Sequence, residues 1–91
     1  MGRAKRWRVE KLPEKLLRIR ENLNLTQEEM VKKLGLENKI YRNNISGYES
    51  GEREPALPIL LRYSRLANIK LEILIDDEVD FPSDVLKKEV G

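Results

Sequence analysis

The chain contains no cysteine and no histidine. The first absence removes disulfide staples, thiol nucleophiles and thiolate zinc sites, and the second removes the usual general base and the commonest metal ligand. No run of about 18 apolar residues occurs, so a transmembrane helix is not expected. Nor does a charged-then-apolar leader pattern appear, and the expected compartment is the cytoplasm, with no membrane partner. The 91 residues suffice for one domain with a single modest core. A chain of this size leaves little room for a concave pocket, and its Asp, Glu and Lys residues form no recognisable catalytic constellation. Neither an enzymatic activity nor a cofactor or metal is therefore expected.

Charge is present in quantity but unevenly placed. The formal net charge is only +2, from 18 Lys and Arg against 16 Asp and Glu. Residues 1–20 nevertheless carry eight basic side chains against Glu10 and Glu14, while residues 72–91 carry Lys87 and Lys88 against seven acids. The middle of the chain is close to balanced. A basic head and an acidic tail are what a protein would carry if one end met phosphate and the other faced away, although a solvated surface of uneven charge would read the same.

Along the chain, residues 1–10 lack an apolar period and crowd Arg3, Lys5, Arg6 and Arg8 together, which reads as a basic N-terminal arm. A lone Trp7 within it is expected to pack against the helix that follows. Leu12, Leu16, Ile19, Arg20 and Leu23 recur at helical spacing, with Pro13 tolerated in a first turn and Asn24 as the stop. Thr26 followed by Glu29 is a capping-box pattern and starts a second helix at Gln27, which Gly35 ends after about two turns. Residues 36–41 connect to a third helix over Arg42 to Ser50, closed by Gly51. A fourth runs from about Pro58 to Ala67, burying Leu60, Tyr63 or Ser64, and Ala67, with Asn68 as its left-handed stop. Leu71 and Leu74 begin a fifth that ends in Asp76-Asp77-Glu78, and Ser83 is placed to cap a short last helix. The expected fold is all-α: a compact five-helix domain over residues 11–77, with the basic arm at 1–10 and an acidic, partly apolar tail at 78–91.

Residues 16–74 resemble the lambda-repressor-like, or Xre/Cro-type, helix-turn-helix family. The resemblance is carried by LLRIRENLNLTQEEMVKKLG, by ISGYESGEREP, and by a Leu-rich helix leading to NIKLEIL. Three features depart from the family pattern. The connection between Gly35 and Ile45 is longer than the usual turn, Val31 stands where Ala is common, and Glu52 and Glu54 flank Arg53 where Lys is frequent.

The resemblance implies a sequence-specific transcriptional regulator that docks on double-stranded DNA. The helix from Gln27 would lie across the phosphate backbone, and the helix from Arg42 to Ser50 would enter the major groove. That groove is about 12 Å wide and admits one helix, whose early residues meet base edges. Arg42 and Asn43 are the expected base readers, since Arg pairs with guanine and Asn with adenine. Asn44 is divided between groove and cap, Ser46 between phosphate and packing, and Gly47 would allow close approach to a thymine methyl or to the DNA backbone. Gln27, Arg53 and the arm residues Arg3, Lys5, Arg6 and Arg8 are expected on phosphates. Arg20 and Glu49 match a family pair that fixes the third helix against the first. A homodimer on paired half-sites is expected, with the fifth helix and Val79, Phe81, Val85 and Leu86 as candidate surfaces. Burial of those tail residues on their own domain is the competing expectation. The alternative function is a protein-interaction module, such as an antitoxin or adaptor, with a protein partner on the C-terminal tail.

Overall fold

A computed structural model describes residues 8–81. The expectations placed on Arg3, Lys5, Arg6, Trp7, Ser83, Val85 and Leu86 lie outside those residues. Five helices follow one another: α1 (Leu12–Asn22), α2 (Gln27–Lys33), α3 (Arg42–Ser50), α4 (Leu57–Ala67) and α5 (Leu71–Ile75). No strand forms among the described residues, and the fold is the all-α domain that the periodicity predicts.

The boundaries follow local chemistry. At the start of α2 the Thr26 hydroxyl accepts the Glu29 amide at 3.0 Å, while the Glu29 carboxylate accepts the Thr26 amide at 2.8 Å. This reciprocal cap satisfies two of the amides that a helix start leaves without partners. Asn24 and Asn68 both adopt left-handed backbone, with φ of 58° and 60°, and close α1 and α4 as expected. α4 begins one residue earlier than the sequence suggests, at Leu57, with Pro58 in its first turn. Ala67, expected inside, is only partly buried, and Ser64 takes the buried position beside Tyr63.

The core gathers Leu12, Leu16 and Ile19 from α1, Met30 and Val31 from α2, Ile45 and Tyr48 from α3, Leu60 and Tyr63 from α4, and Leu74 from α5. Each fully buried aliphatic side chain of this kind stabilises the fold by roughly 1.5–3 kcal/mol. Both α1 and α2 pack on α3, so the third helix is the best-supported element. Burial pushes the Tyr63 phenol well above its ordinary pKa, so it stays protonated, and its hydroxyl finds no partner among the described residues.

The acidic run after α5 does not project away from the domain. The Asp77 carboxylate accepts the backbone amides of Lys11 and Glu10, both at 2.9 Å, at the start of α1. Phe81 is buried in the same core, with the Arg18 guanidinium 5.7 Å from its ring centroid. The expectation that Phe81 offers a dimer surface is thereby corrected: an apolar ring with a groove on its own domain buries there first. Val79 is partly buried.

Asp77 gives this arrangement a pH signature. The Lys11 and Glu10 amides favour its charged form and hold its carboxyl below the usual value of 3.8. The stabilisation is complete above that value and is lost as pH falls through the lower folded one. Thermal melts between pH 7 and pH 3 are expected to show Asp77→Asn less stable than the parent at neutral pH, with the two converging in acid. A constant gap across that range would contradict the cap.

Candidate nucleic-acid interface

Two apolar residues anchor the connection before α3. Leu36 and Ile40 are buried, the Leu36 amide donates to the Val31 carbonyl at 3.1 Å, and the Ile40 amide donates to the Leu36 carbonyl at 3.1 Å. Between them residues 37–39 turn outward, with Asn38 in left-handed backbone at φ 70°. The extra length is therefore a small excursion closed at both ends, and it leaves the helix starting at Arg42.

The faces of α3 are separated sharply. Ile45 and Tyr48 are buried, whereas Arg42, Asn43 and Ser46 are exposed. Arg42 pairs with no carboxylate among the described residues. Asn44 serves as a cap, because its Oδ1 accepts the Tyr41 amide at 2.9 Å. That bond occupies the oxygen and leaves the side-chain amide donors available.

A single carboxylate fixes how α3 sits. Arg20 donates from Nε to Glu49 Oε2 at 2.7 Å and from Nη2 to Oε1 at 3.0 Å, a bidentate pair. Its third group, Nη1, donates to the Leu25 carbonyl at 2.8 Å, in the turn between α1 and α2. The pair is well shielded, at 16% and 6% side-chain exposure. The bond to Glu49 holds the Arg20 guanidinium above even its ordinary pKa, so the charge is permanent. Gln27 joins the cluster by donating from Nε2 to Glu49 Oε1 at 3.1 Å. Gln27, expected on phosphate, has one side-chain N–H tied inward to Glu49, which leaves its second N–H and its side-chain carbonyl available.

Two further expected positions take different roles. Gly47 is buried, and a Cβ built on it would lie 2.9 Å from Arg53 Cδ and 3.1 Å from Cγ. The aliphatic stem of Arg53 lies across this glycine, and the Arg53 amide donates to the Gly47 carbonyl at 3.1 Å. The expectation that Gly47 admits a thymine methyl or the DNA backbone is corrected: the space above it is filled by Arg53. Arg53 itself is exposed beyond that stem. Arg8, assigned to the arm, donates from Nη2 to the Gly51 carbonyl at 3.1 Å, where α3 ends. Next to it the Val9 amide donates to Glu54 at 3.3 Å. Residues 8 and 9 are thus fastened beside the C-terminal end of α3. Arg8, Asn44, Tyr48, Glu52, Arg53 and Glu54 line one shallow cleft there.

Sequence reasoning missed the inward bond of Gln27, the Arg53–Gly47 contact and the anchoring by Leu36 and Ile40. Only the last had a signal, two apolar residues four apart inside a polar connection.

No helix among the described residues is long and apolar enough to cross a membrane, and no group of side chains among them could hold a metal ion. No curated protein and no solved structure matches the chain. A family model described as helix-turn-helix matches residues 16–74, from the first turns of α1 to the core residue of α5. With that match and this architecture, the chain belongs to the lambda-repressor-like, Xre/Cro-type helix-turn-helix family.

Proposed function

We propose that the protein is a sequence-specific DNA-binding transcriptional regulator that acts by docking, with no chemistry of its own. The observation that carries this reading is the exposed Arg42–Asn43–Ser46 face of α3, opposite the buried Ile45 and Tyr48 and braced by the Arg20–Glu49 pair. Arg42 and Asn43 meet base edges, while Ser46 and Arg53 contact phosphate and set register. Arg3, Lys5 and Arg6 add phosphate contacts from the arm. Glu52 and Glu54 beside Arg53 lower the affinity for arbitrary sequence. The site of action is the cytoplasm. A domain this small has limited affinity alone, so it binds as a homodimer on paired half-sites. Leu57 and Leu61, exposed one turn apart on α4, and Ile75 on α5 are the apolar candidates for that contact.

Selection of bound sequences from a random duplex library tests the function. The expected result is one enriched motif, with two symmetric half-sites reporting the dimer. Affinity for random duplex is expected to fall steeply with salt as condensed counterions are released. No enrichment and no salt dependence would contradict DNA binding and favour a protein-interaction module such as an antitoxin.

A further inference from the structure

We propose that Tyr41 is a further DNA-contacting residue, whose phenol hydroxyl donates a hydrogen bond to a phosphate oxygen at the rim of the groove that α3 enters. The inference rests on the DNA-binding reading above and adds a contact made by the lengthened turn.

The backbone at Tyr41 is fixed from both sides. Its predecessor Ile40 is buried, and its own amide is held by Asn44 Oδ1 at 2.9 Å. The residue is extended, at φ −128° and ψ 172°, and successive side chains of extended backbone point to opposite sides. With Ile40 inward, Tyr41 points outward. It is 66% exposed, the most exposed of the large apolar side chains among the described residues. A rigid backbone that presents a phenol to solvent has spent no burial on it, and its hydroxyl makes no hydrogen bond to the described residues.

The position selects the ligand. Tyr41 directly precedes Arg42 and Asn43 and follows exposed Lys39, so the cations around it draw phosphate. It lines a cleft between α2 and the turn together with Lys32 and Arg42, whose positive charges offset those of Glu28 and Glu37 in the same lining. Tyrosine is among the side chains that donate to phosphate oxygens, and with two rotatable bonds it loses little entropy when ordered. Arg42 and Asn43, in the first helical turn, take the base edges, and the residue before that turn meets the groove wall.

The test uses the full chain, its selected duplex and a scrambled duplex, with Kd measured across a range of salt for Tyr41→Phe and Tyr41→Ala. Loss of one hydrogen bond to an anionic phosphate oxygen is expected to weaken binding about tenfold or more. Phe and Ala are expected to lose similarly, on both duplexes alike, with an unchanged salt slope because tyrosine carries no charge. Urea midpoints are expected to match the parent, as befits an exposed side chain. Parent-like binding by Tyr41→Phe would overturn the hydroxyl contact, and a loss confined to the selected duplex would make Tyr41 a base reader instead. A parent chain that binds neither duplex would bring down the DNA-binding reading itself, which is a separate result from a parent that binds and a variant that does not differ.

Discussion

Arg20→Met and Glu49→Leu are each expected to lower unfolding free energy by about 3–5 kcal/mol, because each leaves a shielded charge without its counter-charge. The whole fold is expected to hold only about 5–14 kcal/mol, at about 0.05–0.15 kcal/mol per residue. Either single substitution therefore removes a large part of it. The double variant is expected to regain much of the loss, since two apolar side chains of similar size replace two charges that had to be desolvated. Recovery stays incomplete for a reason the geometry supplies. Gln27 Nε2 loses Glu49, and the Leu25 carbonyl loses Arg20 Nη1. A double-mutant cycle by urea denaturation measures the coupling. Strictly additive losses would mean that the pair contributes nothing as a pair, and that α3 is held by apolar packing alone.

Lys15→Met is expected to destabilise by about 3 kcal/mol, taking about 1.5–3 kcal/mol for each hydrogen bond to an ion and allowing for their strong non-additivity. Lys15 is only 3% exposed, although it is a lysine, and its ammonium donates to the carbonyls of Ile73 at 2.7 Å, Asp76 at 3.0 Å and Val79 at 2.8 Å. The Ile73 carbonyl belongs to the end of α5 and the other two to the turn after it, where the Asp76 carbonyl also accepts the Val79 amide at 3.1 Å. Burial lowers the Lys15 pKa and the nearby Lys11 charge adds to that shift, while Asp77, Asp80 and Asp76 oppose it. Methionine preserves the apolar stem, so the loss reports the ammonium. Hydrogen exchange of the amides from 73 to 81 is expected to accelerate in the variant. A loss below about 1 kcal/mol with unchanged exchange would show that water replaces the lysine without penalty.

Much of this molecule is legible in its residues, and the illegible parts share a cause. Helix starts and stops depend on neighbours in sequence, so the Thr26–Glu29 box and the asparagines at 24 and 68 announce themselves. The identity of α3 and the Arg20–Glu49 pair follow from a family pattern that spans both partners. Lys15, by contrast, occupies an inward position between Leu12 and Leu16, yet its charge argues for the surface until the carbonyls of a distant helix end are in place. Asp77 belongs to an acidic run that looks like a solvated tail, and its role exists only because the start of α1 comes beside it. Gly47 reads as an opening toward DNA until Arg53, six residues on, is laid across it by the turn at Gly51. In each case the deciding partner is remote in the chain or depends on a side-chain path that composition does not encode.

The central claim is that the first turn of α3 reads base sequence. Its most direct test is the affinity of Arg42→Ala and Asn43→Ala for the selected duplex and for random duplex, measured at one fixed salt concentration. Both side chains are exposed, so stability is expected to be unchanged. Each variant is expected to lose about 1–3 kcal/mol on the selected site while barely changing on random DNA, with tolerance relaxed at one base position. Equal weakening on both duplexes would contradict the claim and leave Arg42 and Asn43 as phosphate contacts.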